Sequence, residues 1–321
     1  MTDTILPLKT FAAWDQPDRM ADTSPLMPPQ DSVAAAPLSR PLEAILWMLG
    51  SGLCFVGVTG VVRHLGTDLP AAQSAFVRFA WGAIFLLPTL VRTLVAGIPA
   101  PLMRLYLGRG VLHVAAVIFW FYAMARIPMA EVTAIGYLNP VLLTLGTVVF
   151  LGEKLSLARV GAIGVALLGA LIVLRPGLRE VTQGHLSQVF AACFFAGSYL
   201  FAKRLSGIVG AGQVVAMLSL LVTIGLLPLA LLVWVPMSVA QLMWLAVVAA
   251  CATGGHYCMS RAFAEAPVAV SQPVVFLQLI WASLMGWAVF DEAVDPFVVL
   301  GGAVIVTSVS YIAWTERRAR R

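Results

Sequence analysis

Two side-chain amides, Asn139 and Gln278, stand in the middle of long apolar stretches, 139 positions apart. An amide in hydrocarbon is costly unless it finds hydrogen-bond partners. A pair of them can offer donors and acceptors to a polar solute in a central cavity, or can bond to neighbouring helices as packing glue. Arg78 lies inside another apolar stretch, roughly 10 Å along it if helical. It can snorkel outward, or face a cavity and pair with an anionic group. His256, in Gly254-Gly255-His256-Tyr257, has two glycines beside it that allow close helix approach. It can serve as a hydrogen-bonded structural group or as a proton relay, and His113 is a weaker candidate of the same kind. Glu131 falls about one turn from the end of its stretch, where a solvated helix start is the default. As the acid nearest the interior, it is also the candidate for carrying a coupling proton. Of the aromatic residues Trp120, Phe121, Tyr122, Tyr137, Phe276 and Trp281, only Tyr137 and Trp281 are taken as contacts for a planar or amphipathic solute. Pro140 and Pro273 interrupt the same two stretches that hold the amides, and each frees a backbone carbonyl and bends a helix. Glu153 and Glu292 close those stretches in charged turns, as structural or gating groups.

Other chemistries are missing. The chain has no GxxxxGK(S/T) phosphate loop, no GxGxxG dinucleotide loop and no HExxH metal motif. No Ser/His/Asp set stands at helix ends where water could reach it. The four cysteines, Cys54, Cys193, Cys251 and Cys258, all lie in apolar runs without metal or disulfide-framework spacing. These readings imply no enzyme, no cofactor and no bound metal.

The elements that must position these residues follow from composition. Of 321 residues, 60% are hydrophobic and 11% charged, and the mean hydropathy is +0.94. Soluble domains carry roughly a quarter charged residues, so this chain cannot cover a water-facing surface. It reads as an all-α integral membrane protein. Apolar segments fall near 44–63, 72–95, 105–126, 129–150 and 158–175, then 186–203, 213–236, 240–262, 267–289 and 296–315. Each approaches the ~20 residues that cross ~30 Å of hydrocarbon as a helix, and helix is the form that leaves no backbone group unpaired in lipid. Residues 1–43, with seven prolines and five aspartates, read as a disordered cytoplasmic tail and not as a signal peptide. Residues 316–321 form a basic tail. With the N-terminus in the cytoplasm, fourteen Lys and Arg fall on the inside and four outside, so both termini are expected in the cytoplasm of an inner (plasma) membrane. The net charge of +5 belongs to helix ends and not to a nucleic-acid surface. The expected partners are the lipid bilayer and a small-molecule solute, and a homodimer is compatible with this plan.

The chain also repeats itself. Pro128 pairs with Pro267, Leu138 with Leu277, Asn139 with Gln278 and Glu153 with Glu292, always 139 positions apart (267 − 128, 292 − 153). A constant offset over unlike residues marks a duplication, with one repeat at 44–175 and the other at 186–315. Five spans per repeat is odd, so the second repeat must enter the membrane upside down. The expected fold is therefore ten transmembrane helices as two inverted five-helix repeats, with a site between them near the midplane, as in secondary transporters.

Several short motifs extend this reading. Arg78-Phe79, Tyr122-Ala-Met-Ala125, Asn139-Pro140 and Leu151-Gly152-Glu153-Lys154-Leu155, followed by Gly161 and Gly164, form one ordered set. Ala262-Phe-Ala-Glu-Ala-Pro267 through Phe290-Asp291-Glu292 forms the other. Together they resemble the paired EamA-type repeats of the drug/metabolite transporter superfamily, over roughly residues 44–315. The resemblance implies a permease that moves small organic metabolites by alternating access. The alternatives are a multidrug exporter of the same fold, or a membrane-bound enzyme or sensor on this scaffold. The chain departs from the pattern in having no Arg-Phe pair in its seventh span, and Asp291 where the first repeat has Gly152.

Overall fold

A computed structural model describes residues 41–139, 141–142, 157–175, 180–265, 274–275 and 277–319. Pro140, Glu153, Pro273 and Phe276, with the N-terminal tail before residue 41, lie outside the described residues. Among the described residues every regular element is a helix: α1 (Pro41–Leu65), α2 (Ala71–Phe85), α3 (Leu87–Val95), α4 (Ala100–Met124), α5 (Met129–Gly136) and α6 (Leu157–Leu174). These are followed by α7 (Gln183–Ser206), α8 (Ala211–Leu232), α9 (Val239–Glu265), α10 (Leu277–Phe290) and α11 (Pro296–Ala319).

Five of these (α1, α4, α7, α8 and α9) are individually long and apolar enough to cross a membrane. The pair α2 and α3 makes a sixth span, bent by 73°. Pro88 explains the bend, because it has no N–H to give to the carbonyl four residues back and its ring crowds that turn. The shorter apolar helices α6, α10 and α11 and the start of the fourth span in α5 complete the series. All fall, in order, on the ten expected segments. Prolines also punctuate the helix starts: Pro70, Pro99 and Pro128 each hold an extended ψ of 139° to 147° just before α2, α4 and α5. A residue so fixed, with no donor of its own, ends a connection and opens a helix.

The duplication survives in the packing. Helix starts at 100 and 239, and at 157 and 296, keep the offset of 139. The most extensive interfaces are α1 with α9 and α4 with α7, which exchange under that offset. α2 packs on α8, α6 on α11 and α5 on α10, each helix against its own counterpart. Such pairing is what a two-fold axis in the membrane plane produces, and it is the inverted repeat. At the α6–α11 crossing the backbones nearly touch. A Cβ on Gly301 would lie 2.6 Å from the Gly169 carbonyl oxygen, and one on Gly169 would lie 2.8 Å from that of Gly301.

One end of the bundle is drawn together by polar contacts. Arg63 Nε pairs with Glu292 at 2.9 Å, and Glu292 also accepts the Met129 N–H at 2.9 Å. Gln73 clamps the Val235 peptide from both sides, at 2.8 and 2.9 Å. Tyr122 donates to Gln183 at 2.8 Å, and Arg175 pairs with Asp295. The connections that leave odd-numbered spans all meet here, as strict up-and-down threading requires. The outward faces carry leucines at 167, 168 and 171 on α6 and at 231 and 232 on α8, all well exposed. Those surfaces suit lipid and not water.

Candidate functional site

A cavity sits between the two halves, with about 140 Å³ available to the centres of water-sized solutes. Its wall is drawn from α1, α2, α4 and α5 on one side and from α7, α9 and α10 on the other. The aromatic part is an interlocked set. Phe55 meets Trp120 edge-on at 6.0 Å, Trp120 meets Phe195 at 5.6 Å, and Phe195 stacks with Tyr199 at 5.7 Å. Aromatic contacts at these distances contribute about 0.5–1.5 kcal/mol each, and the packed rings form walls against which a flat solute can lie.

The polar part includes both amides singled out in the sequence, Asn139 and Gln278, and a third, Gln188 on α7. Gln188 is buried, and its Oε1 has no hydrogen-bond partner. Gly136 lies against it: a Cβ there would meet Gln188 Nε2 at 3.4 Å, in van der Waals contact. Arg78 also faces the cavity, 4% exposed, with its guanidinium carbon 3.6 Å from the Phe79 ring centroid. It therefore does not snorkel.

Two histidines complete the wall, His113 and His256, with ring centroids 5.2 Å apart. Ser198 donates its hydroxyl to the Arg109 carbonyl at 3.4 Å, so His113 Nδ1 is the donor in its 3.0 Å bond to Ser198. That assignment leaves His113 Nε2 with a bare lone pair and no partner, and His256 Nδ1 is likewise unpartnered. The approach of α9 to α1 rests on Gly255, where a Cβ would come within 3.2 Å of Cys54 and Phe55.

Tyr137 lines the cavity with its ring while its hydroxyl ties the halves together. It accepts the Leu279 N–H at 2.8 Å and donates to the Val275 carbonyl at 3.4 Å. It also caps α5, its own N–H closing onto the Ala134 carbonyl at 3.2 Å, so the fourth span tightens at the level of the amides.

The remaining candidates stand apart. Trp281 belongs with Leu277, Ile280 and Leu284 to the outward stripe of α10, and its exposed ring is not part of the cavity wall. The buried stripe of that helix is Leu279, Ala282 and Gly286, and the spacing from Gln278 alone does not reveal which side Trp281 takes. Glu131 is not a solvated helix start. It is buried, and its Oε2 lies 2.7 Å from His185 Nε2. The Thr182 N–H donates to His185 Nδ1 at 3.0 Å, so Nε2 carries the proton and donates to Glu131. This pair is not in the cavity wall, although Thr133, two residues on from Glu131, is. Glu292 serves the closed end described above.

Gln188, Phe195 and Tyr199 have no counterpart of their own kind at the repeat offset, falling opposite Leu49, Val56 and Gly60. Symmetry therefore did not flag them. The one signal was an amide inside an apolar span, the same signal that marked Asn139.

Residues 42–175 and 182–314 each match the EamA-like transporter family. The chain belongs to that family. It is 32% identical over 292 residues to the riboflavin transporter of Vibrio cholerae, covering 88% of this chain and 97% of that one. It is 30% identical to the riboflavin transporter of Rhizobium johnstonii, over 91% and 97% of the two chains. A solved crystal structure superposes with a TM-score of 0.58 at 20% identity, covering 88% of this chain and 97% of its own, which establishes the common fold. This EamA-like protein is thus a multi-pass secondary transporter that carries a small organic metabolite by alternating access between its two repeats.

Proposed function

We propose that the metabolite is a flat, hydroxyl-rich heteroaromatic compound of the riboflavin class, bound in the cavity between the repeats. The observation that carries this reading is the pairing of interlocked aromatic walls with three amides. Phe55, Trp120, Phe195 and Tyr199 offer faces and edges to a fused ring. Asn139, Gln188 and Gln278 supply both donors and acceptors, which suits an imide edge or a polyol chain. The names of the Vibrio and Rhizobium relatives support the same class. Trp281 keeps a place only if α10 turns during the cycle. The distribution of Lys and Arg supports an inner-membrane protein with both termini in the cytoplasm, so the clasped end of the bundle faces outward. The repeats span 44–175 and 186–315, and Glu292 stands at the clasped end. No catalytic step belongs to this reading.

Glu131 and His185 form the coupling pair. A buried carboxylate that accepts an imidazole N–H can take up a proton when the α5–α7 contact opens to water. Its place at the junction of two repeats links protonation to their rocking.

Saturable uptake of labelled riboflavin into proteoliposomes tests the main reading. It should fall at least about tenfold in Gln188→Ala or Asn139→Ala, the loss expected when a buried polar contact to the solute disappears. No saturable uptake by the wild-type protein would end the flavin reading.

A further inference from the structure

We infer that the transported solute carries a negatively charged group, a phosphate or a carboxylate, which docks on Arg78, with the buried Arg109 charge adding to its field. This deepens the reading above and rests on it only for the identity of the aromatic body.

Arg78 is buried in the cavity wall, and Arg109 is buried even more completely, at 1% exposure, on α4. A guanidinium is always charged and presents five donors. Arg109 uses Nη1 to reach the Val214 carbonyl at 3.2 Å, while its Nε and Nη2 have no partner. Tyr199, which lines the cavity, lies within electrostatic reach of both arginines. His113 and His256, in the same wall, lie within electrostatic reach of both arginines.

The compensating acid is absent from the described residues. None of those that wall the cavity is Asp or Glu. Among the described residues Glu131 pairs with His185, Glu265 with Arg261, Glu292 with Arg63 and Asp295 with Arg175, and the half-buried Glu43 is no part of the wall. Two buried cations without a counter-ion are unfavourable until an anion arrives. A planar guanidinium matches the oxygens of a phosphate or carboxylate in a forked geometry. The aromatic walls begin directly beside Arg78, so one molecule with a flat body and an acidic arm satisfies both halves of the cavity.

Binding to the full-length protein in nanodiscs decides the matter, read by flavin fluorescence quenching and by thermal stabilisation. The probes are two pairs that differ in charge: riboflavin 5′-phosphate against riboflavin, and nicotinate against nicotinamide. In each pair the anion should bind about tenfold more tightly or better. Arg78→Gln should bring the ratio towards one, and Arg78→Lys should restore part of it. Wild-type ratios near one overturn the inference, and they decide alone if Arg78→Gln fails to fold. Ratios that Arg78→Gln leaves unchanged overturn it as well. If neither flavin binds while nicotinate keeps an Arg78-dependent preference, the flavin scaffold is lost and the anion site stands. If no anion is preferred over its neutral partner, the anion site is lost whatever the flavins do.

Discussion

Tyr137 and Glu131 show how differently single side chains can use one short helix. Tyr137 places a hydroxyl between two backbone groups of α10 and its approach, an arrangement that Phe reproduces in shape but not in bonding. Tyr137→Phe leaves the Leu279 N–H buried and unpaired, a loss of about 1–3 kcal/mol. Its unfolding midpoint in detergent should drop accordingly, and an unchanged midpoint would show that the bond is not maintained in the membrane protein. Glu131 makes the opposite case, since its carboxylate accepts an imidazole N–H. Glu131→Gln keeps an acceptor for that donor while removing the titrating charge. Uptake by this variant should no longer respond to an imposed proton gradient, whereas a preserved response would dismiss the pair as the coupling site.

At the scale of elements, the α6–α11 crossing depends on two glycines whose missing side chains let carbonyls approach. Gly301→Val must push the helices apart, because even its Cβ would stand 2.6 Å from the Gly169 oxygen. A loss of about 2 kcal/mol or more is expected from overpacking against backbone, which cannot rotate away. Gly164→Ala on α6 has nothing within 4 Å of the added Cβ and should be neutral. Thermal melts of the two variants make the comparison, and equal melting temperatures would refute the close crossing. The same scale explains the bent second span: no amount of apolar sequence in 72–95 keeps one straight helix through Pro88.

For the whole molecule, alternating access requires that the clasped end can open. Arg63 and Glu292 tie α1 to the exit of α10, and Glu292 also holds the Met129 N–H at the start of α5. Glu292→Gln should therefore raise the labelling rate of a cysteine placed at Thr59, in the cavity wall, by a reagent added outside. The exchanged pair Arg63→Glu with Glu292→Arg should return part of the protection. Labelling that ignores both changes would mean that the closed end is held by the other contacts alone. Because a half-buried ion pair contributes little once both partners are solvated, such a clasp can yield within each transport cycle.

The sequence by itself determined the chain's solvent, its ten spans and its duplication, since apolar length and a fixed 139-residue offset are properties of the linear order. It also placed Asn139 and Gln278 on the cavity, because a polar group deep inside an apolar span must find a partner wherever the helices pack. Tertiary structure decided what depends on helix rotation and on neighbours from the other repeat. It turned Trp281 towards lipid, brought Gln188, Phe195 and Tyr199 into the wall, and buried Glu131 against His185. Helical periodicity in a span that is apolar on every side carries almost no rotational signal, so only the packed partner fixes which face looks inward. For the same reason the charge of the cavity, with Arg78 in a wall that holds no Asp or Glu among the described residues and Arg109 buried nearby on α4, became visible only in the fold.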